Sequence, residues 1–327
     1  MMKTLKTLAC PIAVGMMFTS ASGCAAATGF DHRGDATVTV RIVDADEQPI
    51  AGVHSKLFSF SSYSAPSGLT DTNGMYSVFL RKIDSQISGS FKKQGYYETG
   101  GSFWKWGEDV GLVPPADTNF PVVLKRIIDP VPMVQKIIET YLPRNDEPIG
   151  FDLEVGDWVS PYGKGKTADI QMTGTSRFES RQDFDVKVSF EFIDELCGIQ
   201  SFIAPDARDW SKLRSQLMPP HIAPDNGYEQ TLLLWGMSTP KPKQYQSHKM
   251  GNRNYIFRTR VVTDDNGKII KANYGWTMGE VEIDPEYGKQ IWLRFYYYYN
   301  PDPKSRSLEP KEIADRQAKD IPKEGGK

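Results

Sequence analysis

The sequence predicts an all-β protein made of two β-sandwich domains in tandem. Aromatic residues make up 12% of the 327 residues and there are 22 prolines, a mixture that favours strands and turns over helix bundles. Apolar and polar residues alternate with a period of two in several segments, which is typical of strands with one buried face. At roughly 100–200 residues per domain, the length accommodates two domains.

The charge balance excludes a nucleic-acid partner. Lysine and arginine number 39 against 41 aspartate and glutamate residues, for a formal net charge of −2. Phosphate recognition requires a basic excess or a clustered basic face, and neither is visible. Hydrophobic residues reach 39%, so the chain can bury a core and is not globally disordered.

Residues 1–23 are interpreted as a signal peptide. Lys3 and Lys6 precede an apolar run over 8–18 that is too short for a permanent membrane span. Small residues then lead to Gly23-Cys24, which resembles a bacterial lipobox. That resemblance implies a lipid on Cys24 and a membrane anchor.

Two alternatives to lipidation stay open, since Ala21 stands where a lipobox usually has leucine. Cleavage at the alanines of 25–27 would release a periplasmic or secreted protein, and a buried helix is the other alternative. Residues 24–35 are small and polar, which predicts a tether. Beyond Cys24 the mature chain has only Cys197, so neither a disulfide framework nor a cysteine zinc site can form. A buried, unreactive thiol is the favoured interpretation of Cys197 over a reactive one.

The first domain is predicted over residues 36–126. Val38, Val40 and Ile42 alternate with polar residues, which indicates a half-buried strand. Asn73-Gly74 predicts a hairpin turn, because this pair tolerates the positive φ angles of tight turns.

Four segments of this domain resemble the carboxypeptidase regulatory-like family, namely VRIVDADEQPIAGV, TDTNGMYSV, KKQGYY and PVVLKR. Gln48 and Val53 depart from the glycine and alanine usual in that family. The resemblance covers about residues 36–126. It implies a transthyretin-like or immunoglobulin-like sandwich with an accessory role and no catalytic residues.

The remaining chain is divided into three parts. Residues 127–150 contain four prolines and are predicted to be a crossover, formed by a strand or by one to two helical turns. Residues 151–300 predict a second sandwich, from the alternation over 184–192 and 255–261 and the hairpin turn over 264–267. Residues 301–327 predict a polar tail with a short helix over 312–318.

Three segments of the second domain, GFDLEVGDWVSPYGKGKTADI, APDNGYE and YYYYNPDPKSRSLE, resemble a block that recurs in bacterial exported proteins. This second resemblance implies the cell envelope and no particular activity.

Motifs for catalysis, metals and cofactors are absent from the sequence. The four histidines lack the spacing of a helical zinc pair, no serine lies in a Gly-x-Ser-x-Gly elbow, and 163–167 lacks the full phosphate-loop spacing. Asp183, Asp185 and Glu191 could serve a glycosidase, but they alternate with apolar residues, which favours a solvated sheet face. A structural calcium at 264–267 stays open. We assign no catalytic residue, metal or cofactor.

Two aromatic clusters are candidates for ligand binding. Tyr96, Tyr97, Trp104 and Trp106 lie among glycines in the first domain, where they could form a platform for a glycan or cover the end of the sandwich. Trp292 and the tyrosines at 296–299 share one predicted strand, for which core packing is the simpler interpretation.

The sequence therefore predicts a non-enzymatic lipoprotein that acts as a binding or structural module in the cell envelope, at the outer membrane or cell surface. Its expected partners are the membrane, through the lipid, and a glycan or an envelope protein. Two alternatives are a glycan-binding component of a surface polysaccharide-processing system and a hydrolase whose carboxylates assemble across strands.

Overall fold

Strands dominate the computed structural model, which describes residues 34–59, 65–83, 86–105, 119–205, 212–286 and 290–320. Twenty strands and one helix form within these ranges, so the predicted all-β class is confirmed. Two sandwiches, each with its own apolar core, account for most of the strands.

Strands from the first half of the chain build the N-terminal sandwich. They are β1 (Gly34–Val43), β2 (His54–Ser59), β3 (Ser67–Leu69), β4 (Met75–Ile83), β5 (Gln86–Lys92), β6 (Thr99–Lys105) and β7 (Asn119–Val123). One sheet has the order β4-β1-β7, with β1 and β7 parallel. The facing sheet contains β6-β5-β2-β3.

The alternation predicted for β1 fixes the core of this sandwich. Val38, Val40 and Ile42 are buried, while Thr37 and Arg41 on the opposite face are exposed. Leu57, Phe91 and other apolar side chains of the facing sheet pack against them.

Strands beyond residue 126 build the larger sandwich. They are β8 (Val134–Tyr141), β9 (Ile149–Asp152), β10 (Asp157–Trp158), β11 (Ile170–Ser180), β12 (Asp183–Phe192), β13 (Gly198–Ile203), β15 (Thr231–Pro240), β16 (Lys243–Ser247), β17 (Arg253–Thr263), β18 (Ile269–Thr277), β19 (Glu282–Pro285) and β20 (Ile291–Asn300), whereas β14 (Arg214–Ser215) belongs to the first sandwich. One sheet has the order β10-β9-β11-β12-β15-β16, and the other has β13-β17-β18-β20-β19, with β8 also paired to β20.

The predicted crossover over 127–150 contains a strand, and this strand belongs to the second sandwich. Strand β8 pairs with β20 along its whole length, from Val134 opposite Tyr299 to Tyr141 opposite Trp292. Conversely, β14 lies beyond residue 126 in the sequence but pairs with β6, so it adds a strand to the first sandwich.

The segment predicted to be a polar tail is packed against the protein, which corrects that expectation. Ser307, Leu308 and Glu309 are buried, and helix α1 (Lys311–Asp320) follows them. Leu308 and Ile313 join a third apolar core with residues from both sandwiches. The segment is polar in overall composition, which is why the sequence predicted a tail. Its few apolar side chains are nevertheless enough to cover this core.

Glu309 ties the C-terminal segment to the first sandwich. One of its carboxylate oxygens accepts the Tyr97 hydroxyl at 2.9 Å and the Ile128 N–H at 2.9 Å. The other oxygen accepts the Asp129 N–H at 3.1 Å. All of the residues described here belong to one compact unit, Arg33–Lys327.

Cys197 is buried immediately before β13, as expected for an unreactive thiol. Burial raises the pKa of this thiol, an effect that the nearby backbone N–H groups of Val261 and Arg260 only partly offset. In the part of the chain that the structure covers, no helix is both long and apolar enough to cross a bilayer.

Candidate functional site

The first predicted platform loses one of its members, because Tyr97 is buried. Its side chain has 0% exposure and its hydroxyl is bound to Glu309. Burial and the adjacent carboxylate raise the pKa of this phenol. Tyr97 is therefore a structural contact between the sandwich and the C-terminal segment, and its ring is not presented to a ligand.

The other predicted site residues are only partly described. Tyr96 is half-buried, receives a hydrogen bond from Arg126 Nε at 3.1 Å and has the Arg126 guanidinium 5.6 Å from its ring centre. The backbone of Trp104 lies in β6, but its side chain, all of Trp106 and Cys24 lie outside the described residues. A ligand role for these aromatic residues stays a prediction.

A different concave site lies at the edge of the second sandwich. It is a cleft of about 550 Å³ where β19 passes the ends of β11, β12 and β15. Strands β19 and β11 belong to opposite sheets, so the cleft lies at an open end between the two layers. Its walls are formed by Phe178, Arg181, Phe184, Gly236, Tyr245, Lys249, Glu282, Ile283, Asp284, Pro285, Glu286 and Trp292.

Four aromatic rings line this edge cleft. Phe178 and Phe184 flank the β11–β12 hairpin, Tyr245 comes from β16 and Trp292 from β20. The Phe184 and Tyr245 rings lie 6.3 Å apart at 59° to each other. The Tyr245 side chain is 65% exposed, so a ligand in the cleft has direct access to its ring.

Three carboxylates form a row beside the rings. Glu282 and Asp284 lie two residues apart on one face of β19, Glu286 follows directly after the end of this strand, and all three line the cleft. Arg294 donates to Glu282 at 2.6 Å, and Lys249 lies 3.9 Å from the same carboxylate.

Glu286 is bound by Tyr141, whose hydroxyl donates to it at 2.6 Å. Burial raises the pKa of Asp284, and the neighbouring negative charge of Glu286 raises it further. The row therefore combines two carboxylates held by specific partners with one of weakened acidity.

Buried polar contacts hold the walls of the cleft in place. The His248 imidazole is buried and lies between the two sheets, with Nδ1 2.8 Å from the Trp235 carbonyl and Nε2 3.1 Å from the Val281 carbonyl. Glu280 accepts the N–H groups of Met250 and Gly251, both at 2.7 Å. Lys249 lies between these two anchored points, so its backbone position is defined before any ligand arrives.

The sequence interpretation did not separate the members of the second aromatic cluster. Tyr297 and Tyr299 are fully buried between the sheets, as core packing predicts. Trp292 and Tyr296 are only half-buried, because even-numbered positions of β20 face outward. Alternation along β20 separates odd-numbered from even-numbered positions. Because both sets contain aromatic residues, the sequence did not indicate which set faces the core.

The cleft offers flat apolar rings beside paired hydrogen-bonding groups. Stacking on the rings requires a ligand with an apolar face, and the acids and cations around them can accept and donate hydrogen bonds. Within the described ranges, no group of three or more histidine, cysteine or acidic side chains is arranged to hold a metal ion.

Comparisons with known proteins leave the family of this chain open. No family model matches it, and no curated protein does. Among solved structures it is similar to the shaft pilin SpaA from Lactobacillus rhamnosus GG, with 11% identity and a TM-score of 0.20 over 85% of this chain and 96% of the pilin. A streptococcal ancillary pilin has 10% identity and a TM-score of 0.19 over 73% of this chain and 62% of its own.

A DUF3823 family protein from Parabacteroides merdae has 7% identity and a TM-score of 0.20, over 85% of this chain and 99% of its own. Similarity at these values carries no inference about function. The resemblance of residues 36–126 to the carboxypeptidase regulatory-like family stays a prediction.

Proposed function

We propose that this protein is a non-enzymatic binding module of the cell envelope that holds a glycan in the edge cleft. The observation that carries this proposal is the meeting of four aromatic rings with ionic side chains in one cleft. Pyranose rings present apolar C–H faces that stack on aromatic rings, and their hydroxyls both donate and accept hydrogen bonds. Aromatic side chains supply large contact areas with few torsions to restrict.

The ionic side chains of the cleft favour binding over catalysis. A glycosidase needs one carboxyl group as an acid and a second as a base or nucleophile. Glu282 is held by Arg294 and Lys249, and Glu286 is held by Tyr141. Two of the three acids are thus committed to neighbours, which suits hydrogen bonding to a neutral ligand.

Titration of a polysaccharide panel tests this proposal. The panel contains xyloglucan, xylan, mannan, starch, pectin and chondroitin sulfate, and binding is measured by calorimetry. Trp292→Ala and Tyr245→Ala each remove one stacking surface, so each is expected to weaken binding about tenfold.

Tyr162→Ala is the matched control, because Tyr162 is 39% exposed and does not line the cleft. Affinities that are unchanged in the two cleft variants, or a wild-type protein that binds no member of the panel, would refute the proposal.

A hydrolase is the second candidate, favoured by the raised pKa of Asp284. A raised pKa is the direction that a carboxyl group acting as a general acid requires. Incubation of the panel with wild-type protein and with Asp284→Asn distinguishes the two functions. Release of new reducing ends by the wild type, lost in Asp284→Asn, would replace the binding function with a catalytic one.

A further inference from the structure

A second cavity lies on the outer face of the same sheet as the edge cleft. It has a volume of about 280 Å³ and lies between β20, β8 and helix α1. Its walls are formed by Gln135, Arg214, Gln216, Met218, Trp276, Met278, Tyr298, Ile313 and Arg316. Trp276 and Tyr298, both almost fully buried, form the aromatic floor of this cavity, with ring centres 5.1 Å apart.

One row of side chains on β20 connects this cavity with the edge cleft. Trp292 lines the cleft and Tyr298 lines the cavity. Arg294 and Tyr296 lie between them on the same face, because every second residue of a strand points to the same side. At about 3.3 Å per residue, the row from Trp292 to Tyr298 is about 20 Å long.

Strand β8 widens this row along its whole length. Opposite residues of an antiparallel pair share a face, and the register sets Tyr141 beside Trp292, Ile137 beside Tyr296 and Gln135 beside Tyr298. Ile137 is 65% exposed and Tyr141 is 41% exposed, so this part of the sheet face is open to solvent.

The charged groups on this face are held by specific partners. Arg294 is paired with Glu282 at 2.6 Å, and the Tyr296 hydroxyl donates to Glu139 at 2.9 Å. The guanidinium of Arg294 also lies 5.2 Å from the Trp292 ring centre. The Tyr296 hydroxyl is uncharged, so the Glu139 carboxylate keeps its negative charge, and this face therefore fits a neutral chain better than a polyanion.

The backbone of β20 is already paired on both sides. Strand β8 occupies one edge, and β18 and β19 share the other. An extended peptide therefore cannot join the sheet at β20 by strand addition, and β20 itself offers only side chains to a ligand. Recognition by side chains alone is suited to a glycan, which has no strand backbone to pair.

From these observations we infer that β20 carries a continuous track for an extended, uncharged glycan chain, running from the edge cleft to the cavity at α1. This inference rests on the proposed function and adds the ligand class, a linear oligosaccharide of several units rather than a single sugar or a chain end. The length of the row exceeds the width of one sugar ring several-fold.

Affinity as a function of chain length tests the track. The ligands are the monosaccharide and the linear di-, tetra- and hexasaccharides of the panel polysaccharide that the wild type binds. Affinity is expected to rise from the monosaccharide to the longer chains, because each added unit contacts a further part of the row. Tyr296→Ala should weaken the hexasaccharide about tenfold and leave the monosaccharide unchanged, whereas Trp292→Ala weakens both.

Two further variants keep the test informative if loss of the Tyr296 ring perturbs folding. Gln135→Ala alters an exposed residue at the far end, and it too should affect the hexasaccharide alone. Tyr162→Ala, which lies off the track, should leave every affinity unchanged. Far-ultraviolet circular dichroism verifies the fold of each variant.

The outcomes separate the track from the proposed function. Equal affinities for the monosaccharide and the hexasaccharide, or a hexasaccharide affinity that neither Tyr296→Ala nor Gln135→Ala reduces, would overturn the track and leave glycan binding in the cleft standing. Absence of any glycan binding, or binding of an extended peptide in its place, would overturn both.

Discussion

Arg260 leaves the regular path of β17 at a bulge and directs its guanidinium toward a group of acids. Its φ of 52° lies in the left-handed region, which residues other than glycine seldom adopt. Nε and one terminal nitrogen donate to Asp169 at 2.9 and 3.0 Å, and that nitrogen also donates to Asp152 at 2.9 Å. Glu154 is the third acidic partner. The cluster holds the loop between β9 and β11 on the second sandwich.

Arg260→Lys is expected to lower the free energy of unfolding by about 1–3 kcal/mol. A lysine ammonium cannot reproduce the planar fork that reaches Asp152 and Asp169 together, and both carboxylates are almost fully buried. Lysine has the same backbone preference as arginine, so the positive φ contributes little to the difference. Urea denaturation measures the change.

Arg177→Lys is the control for this substitution, since Arg177 binds Asp183 at 2.8 Å on an exposed face. It should change stability by less than about 1 kcal/mol. An Arg260→Lys variant as stable as Arg177→Lys would show that the fork contributes nothing.

Lys125 is a second residue whose surroundings set its chemistry. Its ammonium donates to the carbonyls of Met218 and Pro219, at 3.1 and 2.8 Å, and so connects the first sandwich to a segment of the second half of the chain. Burial lowers the pKa of this lysine to about 8.

The Lys125 pKa predicts a stability difference that depends on pH. Between about pH 8 and pH 10 the unfolded lysine keeps its proton while the folded one has released it, so the folded state gains stability as the pH rises. Below pH 8 both states are protonated and the contribution is constant. The free energy of unfolding of the wild type, relative to that of Lys125→Met, should therefore increase from pH 8 to pH 10. A difference that is flat over this range would contradict the assigned pKa.

At the scale of elements, residues 301–310 act as a strap that the sequence had suggested to be a tail. Strand β20 ends at Asn300, whose side-chain nitrogen donates to the carbonyls of Ser305 and Ser307. Ser307 in turn donates to the Asp129 carbonyl at 2.6 Å. These contacts lead the chain to Glu309 and helix α1.

Glu309→Ala is expected to destabilise the protein by at least about 2 kcal/mol, because it leaves the Tyr97 hydroxyl and the N–H groups of Ile128 and Asp129 without an acceptor. Glu312→Ala is the matched control in the same segment, since Glu312 forms an exposed pair with Arg316. Thermal unfolding of both variants measures the difference, and equal midpoints would show that the Glu309 contacts are dispensable.

Turn sequences give another result at this scale, because two turns of nearly identical chemistry have different roles. In each, an aspartate Oδ1 accepts two backbone N–H groups, at 2.9 and 2.8 Å for Asp71 and at 2.9 Å for both donors of Asp264. The turn at Asp264 joins the paired strands β17 and β18, as a hairpin should. The turn at Asp71 joins β3 to β4, which lie in different sheets. The hairpin prediction was therefore correct for the turn at Asp264 and wrong for the turn at Asp71.

At the scale of the whole molecule, a third apolar core unites the two sandwiches. Tyr97 of the first domain, Trp276 and Tyr298 of the second and Leu308 of the strap share this core. The strap and α1 therefore stabilise the molecule by packing on Trp276 and Tyr298, and they leave Trp292 and Tyr296 on the same face of β20 half-buried.

The proposed lipid on Cys24 is also a property of the whole molecule, because it would decide where the module acts. Bacterial lipoproteins carry several acyl chains, and several chains hold a protein to a membrane firmly where one does not. Cys24→Ala should move the protein from the membrane pellet to the soluble fraction when cells are fractionated. Unchanged fractionation would contradict lipidation and favour ordinary cleavage at the alanines of 25–27.

The sequence by itself determined the all-β class and the inner face of strands such as β1 and β12. Alternation is a local property, since the backbone of an extended chain sends successive side chains to opposite sides. Val40 of β1 and Val188 of β12 are buried. The residues on either side of each are polar, so only the face that carries the valine can pack against the core. The prediction succeeded wherever only one face of a strand is apolar.

Only the tertiary structure decided where the candidate site lies. The cleft combines side chains from β11, β12, β16, β19 and β20, which are far apart in sequence and meet because the two sheets stack. Tyr296, Tyr297, Tyr298 and Tyr299 give β20 two aromatic faces, so local pattern could not distinguish the inner face from the outer one. The strap and α1 then bury Tyr298 and leave Tyr296 half-buried, because covering a face depends on which distant segment reaches it.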